Sequence, residues 1–326
     1  MQKLVAGVDI GGTNTAYALL DMQGNILGEG SFPTPSRNQT AYPSFEAYIQ
    51  LLANGIQSLA STVLQPFELV GIGVGAPNAN YYSGCIEEAA NLPWRGRLAL
   101  AQQLSQAFPQ PVPCYITNDA NAAAIGEMIY GGAKGMKNFV VITLGTGVGS
   151  GFVVNGDLMY GHDGFAGEFG HIIVHRPGRE CGCGRSGCLE TYTSANGMVR
   201  TALELLSQSN KPSVLREMPM NSITSKALND AARQGDPIAI EAFKATGKCL
   251  GQALADLVAI TTPEAIFLFG GLVKAGELIM EPTRQAMEEN LLSFWKSKVK
   301  LLPSALDEGN AAILGASALA WKEIQN

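Results

Sequence analysis

Basic residues are few and dispersed. The chain has 326 residues, with 22 Lys and Arg against 28 Asp and Glu, a net charge of −6 and a pI near 5.2. Without a Lys/Arg cluster it lacks the electrostatic footprint of a nucleic-acid binder. An anionic ligand is still open to it, because backbone amides at glycine turns hold phosphate without lysine. Long apolar runs are also missing, and no uninterrupted stretch is long enough to span a bilayer. Met1-Gln2-Lys3 leads straight into strand-like residues, without the apolar core and small-residue cleavage site of a signal peptide. We therefore expect a cytoplasmic protein with neither membrane nor nucleic-acid partners. Linker-like and low-complexity tracts are absent too. Apolar residues make up 46% of the chain, enough for one large or two medium cores.

Histidine and cysteine are scarce, at three and six, and their placement is uneven. His162, His171 and His175 fall within about thirty residues of one another and of Cys181, Cys183 and Cys188, with Glu168 and Glu190 in the same stretch. Three thiols as C-x-C-x4-C with a histidine ten positions upstream supply the four donors that tetrahedral Zn²⁺ prefers. Glycines 182, 184 and 187 permit the tight turns that bring nearby sulfurs onto one ion. Reduced, buried cysteines are the plainer alternative, but thiols flanked by Gly and Arg suit a core poorly. Disulfides are disfavoured in a reducing compartment. Cys85, Cys114 and Cys249 are scattered and read as single thiols.

Residues 4 to 31 read as a strand meander. Leu4 to Ile10 breaks at Gly11-Gly12, Thr15 to Leu20 resumes, and Gln23-Gly24-Asn25 turns into a third strand. Residues 44 to 64 carry apolar positions at helical spacing behind Ser44, a candidate N-cap. Val70 to Gly75 is the next strand, a helix follows near 97 to 107, and Val112 to Ile116 ends in Thr117-Asn118-Asp119 before an alanine-rich helix over 120 to 129. The opening pattern then recurs. Phe139 to Leu144 breaks at Gly145-Thr146-Gly147, Gly151 to Val154 resumes, and Asn155-Gly156-Asp157 turns back. A strand–glycine turn–strand–turn unit used twice implies two similarly built α/β lobes with a cleft between them. Beyond residue 196 the chain reads as helical, apart from a strand at Ala265 to Phe269 that runs into Gly270-Gly271. A last helix covers about 309 to 325.

Asp9-Ile10-Gly11-Gly12-Thr13 is not a Walker loop, since no Gly-Lys-Ser/Thr follows. Nor is it a Rossmann fingerprint, because the next element is a strand. A hairpin with glycines at its tip presents backbone N–H groups to an anion. Thr13 adds a hydroxyl, and Asp9 a carboxylate suited to a metal-bound water. Leu144 to Gly149 repeats the device, and a facing pair of such turns suits a nucleotide triphosphate better than either hairpin alone does. Asp119 sits where a strand meets a helix N-terminus, the usual place for a residue facing a ligand crevice. A carboxylate there is placed to take the proton of an attacking alcohol, with Asn118 beside it. A simple Asn-Asp helix cap explains the pair as well.

Taken together, the turn Asp9 to Thr13, Asn118-Asp119-Ala120-Asn121-Ala122, Leu144 to Gly147, Gly167-Glu168-Phe169-Gly170-His171 and Cys181 to Glu190 resemble the ROK family (repressors, open-reading-frame proteins and kinases). This family belongs to the actin-like ATPase superfamily, and its glucokinase-type bacterial sugar kinases are the most similar members. The resemblance covers nearly the whole chain. It implies an α/β, ribonuclease H-like duplicated two-lobe fold with an interlobe cleft and a zinc-binding loop. The expected lobes are 1–118, with the helix at about 309–326 returning to it, and 119–308.

The resemblance also implies an ATP-dependent hexose kinase in which Asp119 is the catalytic base. Asn91, Asn118, Glu168, His171 and Glu190 then bind sugar hydroxyls. Asp9, Gly11, Gly12, Thr13, Gly145, Thr146, Gly147, Gly270 and Gly271 bind ATP and its Mg²⁺. One structural Zn²⁺ is held by His171, Cys181, Cys183 and Cys188, with His175 as the rival ligand to His171. One nitrogen of His171 is assigned to metal and the other to sugar. Where family members often have a third glycine after Gly270-Gly271, this chain has Leu272. A homodimer is implied as well.

Glucose is the expected substrate, with N-acetylmannosamine, N-acetylglucosamine or fructose as alternatives. A sugar-sensing repressor is disfavoured because the first strand begins at residue 4, ahead of which an N-terminal helix-turn-helix does not fit. A metal hydrolase is disfavoured because four protein donors leave zinc no open position.

Overall fold

In the computed structural model, residues 1–36, 41–89, 91–306 and 309–325 are described. Residues 307, 308 and 326, at the ends of the expected lobes and last helix, lie outside the described residues. Along the chain run β1 (Gln2–Ile10), β2 (Asn14–Leu20), β3 (Ile26–Pro33), α1 (Phe45–Ala60) and β4 (Phe67–Gly75). Next come the short strands β5 (Ala79–Asn80), β6 (Cys85–Glu87) and β7 (Arg97–Leu98), then α2 (Leu100–Gln106), β8 (Cys114–Thr117) and α3 (Asp119–Ile129). These are followed by β9 (Phe139–Leu144), β10 (Val148–Val154), β11 (Asp157–Leu158), α4 (Glu190–Thr193), α5 (Ala195–Gln208), α6 (Ser225–Arg233) and α7 (Pro237–Thr261). β12 (Ala265–Phe269), α8 (Glu277–Asn290), β13 (Lys300–Pro303) and α9 (Ala311–Gln325) complete the order.

The chain forms two compact units, one of Met1–Gly135, Leu158–Ala166 and Ala305–Asn326, the other of Met136–Asp157 and Gly167–Ser304. Each holds a five-stranded sheet, ordered β3-β2-β1-β4-β8 in the first and β11-β10-β9-β12-β13 in the second. In the first, β1 pairs antiparallel with β2 and parallel with β4, and β4 pairs parallel with β8. In the second, β9 pairs antiparallel with β10 and parallel with β12, and β12 pairs parallel with β13. In these three pairs of each sheet the order and direction are the same, so the repeat read from the sequence is a duplicated sheet.

Within the first unit the strands sort their side chains by parity, as a pleated strand must. Leu4, Ala6, Val8 and Ile10 face a core shared with Phe45, Tyr48, Ile49 and Leu52 of α1 and with Leu100 and Leu104 of α2. Val5 turns to the other face, against Ala320 and Trp321 of α9. Asp9 is on that second face. α9 lies tightly over the sheet because β4 offers Gly73, where a Cβ would collide with the carbonyl of Ala316. Gly315 in turn meets the backbone of Ala122 in α3. The close packing of α3 on α9 puts α3 in the first unit. The boundary therefore falls after Gly135, where a boundary at residue 118 was expected.

Ser44 caps α1, accepting a hydrogen bond from the Ala47 N–H at 3.2 Å. The helix stops at Ala60, short of the expected residue 64, because the Ser61 and Thr62 hydroxyls turn back onto the carbonyls of Ser58 and Leu59. The helix expected from residue 97 begins at Leu100, since Arg97 and Leu98 pair with β6 as β7. In the second unit α7 starts from Asp236, whose carboxylate accepts from Ile238 and Ala239 N–H at 3.0 Å each, with Pro237 at the first helical position. Among the described residues no helix is long and apolar enough to cross a membrane.

Candidate active site

The parallel register of the first sheet lines up the ends of three strands, pairing Asp9 with Gly75 and Gly75 with Thr117. Chain direction then puts Asp9, the turn after β1 and the residues after β8 at one edge. Asn118 is the N-cap of α3, its Oδ1 accepting from the Asn121 N–H at 2.6 Å. The capping alternative is thus correct for Asn118, and its amide NH₂ remains the group with a donor to offer a ligand. Asp119 is the first helical residue, not the cap. Its Oδ1 accepts the Ala120 N–H at 2.8 Å.

The Asp119 carboxyl keeps a solvent-facing surface while protein atoms surround it closely, and this desolvation raises its pKa, partly offset by the backbone hydrogen bonds. Accessibility together with a raised pKa is what a general base needs. Asp9 is half-buried, and burial first, then the charge of Asp119, pushes its pKa up to about 6.

At the tip of the β1–β2 hairpin, Gly11 N–H bonds the Asn14 carbonyl at 2.9 Å, and Gly12 and Thr13 are exposed. Behind the tip lies a buried hydroxyl cluster that the sequence did not reveal. Thr15 Oγ1 is 2.8 Å from Thr34 Oγ1 and 2.7 Å from the Tyr48 hydroxyl, while Thr34 N–H bonds the Thr13 carbonyl at 3.0 Å. Asn91 is exposed and lies against the tip, a Cβ at Gly12 being 3.2 Å from the Asn91 Cβ.

The second unit repeats the hairpin. Gly145 N–H bonds the Gly147 carbonyl at 3.0 Å, with Gly145 and Thr146 exposed. Gly270, at the end of β12, takes a φ of +109°, which favours glycine, and a Cβ there would press on the Leu144 backbone. Gly270 and the Gly145 turn are therefore neighbours, and Gly271 faces open space. Leu272, where a third glycine was anticipated, is buried in the core of this unit.

The sulfurs of Cys181, Cys183 and Cys188 and a ring nitrogen of His171 all lie within 4.8 Å of one another. Cys183 and Cys188 sulfurs are 3.6 Å apart, and His171 Nδ1 is 3.7 Å from Cys181 Sγ. A tetrahedron with metal–sulfur bonds of about 2.3 Å has edges of roughly 3.7 Å, so the donor set fits zinc. All six cysteines are free thiols. His175 is exposed and stands edge-on to Tyr192 at 4.5 Å, outside the cluster. His162 is an exposed residue of the first unit.

With Nδ1 toward the thiols, His171 turns Nε2 toward Glu168, 4.0 Å from Oε2, so the ring does face two ways. Sequence reading missed the groups that fix this segment. Ser150 accepts the Phe169 N–H at 3.2 Å and donates to the Gly167 carbonyl. Arg185 holds the His171 carbonyl at 2.8 Å. Buried Arg179 donates to the Thr191 and Gly197 carbonyls, to Thr201 and to Glu204, and lies 4.5 Å over the Tyr192 ring. Glu190 Oε2 accepts the Val148 N–H at 3.1 Å, and Oε1 is 3.5 Å from Cys181 Sγ. The predicted residues thus gather in two sets, Asp9, Gly11, Gly12, Thr13, Asn91, Asn118 and Asp119 in one unit and the remainder in the other.

A ROK family model matches residues 5–323. A glucokinase of Streptomyces coelicolor is 35% identical over 97% of both chains, and one of Halalkalibacterium halodurans is 36% identical over 86% of this chain and 84% of its own. A solved structure, a ROK family glucokinase from Streptomyces griseus in complex with glucose and AMPPNP, superposes with a TM-score of 0.80. Its identity is 33%, over 98% of this chain and 99% of that one. The match of the family model over nearly the whole length, with the duplicated sheets and the Cys₃His cluster, establishes that the chain belongs to the ROK family.

Proposed function

We propose that the protein is an ATP-dependent glucokinase that transfers the γ-phosphoryl group of ATP to the 6-hydroxyl of glucose. The observation that carries the reading is Asp119, an accessible carboxyl with a raised pKa at the strand–helix junction of the first unit. The glucokinase relatives, one of them holding glucose and AMPPNP, support it.

In this reading Asp119 takes the hydroxyl proton as the oxygen attacks. Asn118 offers its amide donors, and Asn91, Glu168, His171 Nε2 and Glu190 bind the remaining hydroxyls. Phosphoryl transfer asks a protein chiefly for position and charge neutralisation. The turns Gly11 to Thr13 and Gly145 to Gly147 supply backbone N–H groups to the polyphosphate, and Gly270 and Gly271 take the adenosine side. Asp9 is assigned to the hydration shell of Mg²⁺, which would neutralise the polyphosphate. Zinc would be held by His171, Cys181, Cys183 and Cys188 and would fix the loop that carries His171 and Glu190. Four protein donors assign it a structural role. We place the enzyme in the cytoplasm, as a homodimer, in carbohydrate breakdown.

A coupled kinase assay over hexoses and their N-acetyl forms, with and without MgATP, tests the reading. Glucose should give the highest kcat/KM. A higher value for an N-acetylhexosamine would overturn the substrate, and no ATP-dependent turnover with any sugar would overturn the activity.

A further inference from the structure

Three groups from the short segment Glu190 to Asn196 hold the tip of the β9–β10 hairpin. Glu190 Oε2 accepts the Val148 N–H at 3.1 Å, Ala195 N–H donates to the Gly145 carbonyl at 2.9 Å, and Asn196 Nδ2 donates to the Thr146 carbonyl at 3.1 Å. The first already has a role toward sugar and the second is backbone. Asn196 is a side chain with no role in the reading above, and its target is the carbonyl at the centre of the turn.

The peptide group between Thr146 and Gly147 is planar and trans, so its C=O and N–H point in opposite directions. Holding the Thr146 oxygen therefore fixes where the Gly147 N–H points. Glycine on the far side of that peptide leaves it free to rotate, since Gly accepts φ of either sign. The anchor itself is rigid. Asn196 lies in the first turn of α5, capped by Ser194, which accepts the Gly197 N–H at 3.0 Å, and Arg179 grips the carbonyls on either side at Thr191 and Gly197.

We propose that Asn196 is a positioning residue for the nucleotide, aiming the Gly147 N–H at the ATP phosphates by holding the Thr146 carbonyl. This rests on the assignment of the Gly145 to Gly147 turn to phosphate. Asn196→Ala removes the donor. Asn196→Asp keeps the shape and turns an oxygen on the carbonyl. Both should raise the KM for ATP about five- to tenfold, the loss of one hydrogen bond, with the KM for glucose within twofold of the parent and the melting temperature unchanged.

An unchanged ATP KM in both variants overturns the proposal. So does a joint rise in both KM values with a fall in melting temperature, which marks a merely structural contact. Gly145→Ala separates the two layers of argument, because a Cβ there meets only open space. If it leaves the ATP KM unchanged, the phosphate assignment fails and takes the proposal with it. If it raises the ATP KM and the Asn196 variants do not, only the role of Asn196 falls.

Discussion

A side-chain carbon at Gly147 would run into the Oε2 atom of Glu190. A residue proposed to face sugar is therefore seated on the glycine of a turn proposed to face phosphate. The first unit does the same with Asn91 and Gly12. In each half, a residue proposed to face sugar packs against the glycine of a turn proposed to face phosphate.

This seating changes what Glu190 should do. Glu168 is exposed and near His171, whereas Glu190 also accepts the Val148 N–H. Glu168→Gln should raise the glucose KM several-fold and leave the ATP KM within about twofold, while Glu190→Gln should raise both, by roughly 5–20-fold as a charge-assisted hydrogen bond is weakened. Steady-state kinetics with each substrate varied in turn would decide, and an ATP KM untouched by Glu190→Gln would contradict the coupling.

Asp119→Asn keeps size and hydrogen-bonding capacity and removes the base. Turnover should fall by roughly 10² or more while the glucose KM changes little. Near-normal kcat would mean that Asp119 serves only the N-terminus of α3.

Asp9 gives a prediction for stability. Its carboxyl is raised to about 6 in the folded chain from 3.8, so the folded state prefers the protonated form. That contribution is present in full below about pH 4 and is lost as the pH rises through 6. Asp9→Asn escapes the loss. Denaturant unfolding without nucleotide should find the variant gaining on the parent between pH 4 and 7, by up to about 3 kcal/mol. A pH-independent difference would show that Asp9 ionises without penalty.

Replacing Cys183 with Ser removes one of four donors from the cluster. Metal content, read by elemental analysis, and melting temperature should fall together, because binding at a structural zinc site is folding free energy. Full loss of metal with unchanged melting would rule out the structural role.

Much of this was legible in the sequence, for identifiable reasons. The hairpins at Gly11 and Gly145 stood out because two glycine turns interrupt apolar strands at matching offsets. The Cys/His cluster was visible because its donors are close in sequence. Ser44 and Asn118 were readable as caps. The small sheet of β5, β6 and β7 was not, since strands of two or three residues carry no period. Nor was β13, four residues ending in proline whose strand character comes from parallel pairing with β12. The unit boundary depends on α3 meeting α9, nearly two hundred residues later. The seats of Glu190 and Asn196 on the second hairpin join residues 42 and 50 positions apart, a distance at which one sequence carries no local signal.

The two sheets share one strand order, yet the chain spends its extra length differently in each. In the first, residues between β4 and β8 form the small sheet and α2 and supply Asn91. In the second, the Cys/His loop and helices α4 to α7 are spliced between β11 and β12. The repeated frame is common stock, and the splices are where this chain becomes particular. The second splice does not stand apart from the frame: Glu190 and Asn196 within it hold the tip of the β9–β10 hairpin, so rewriting that insertion would disturb the duplicated part as well.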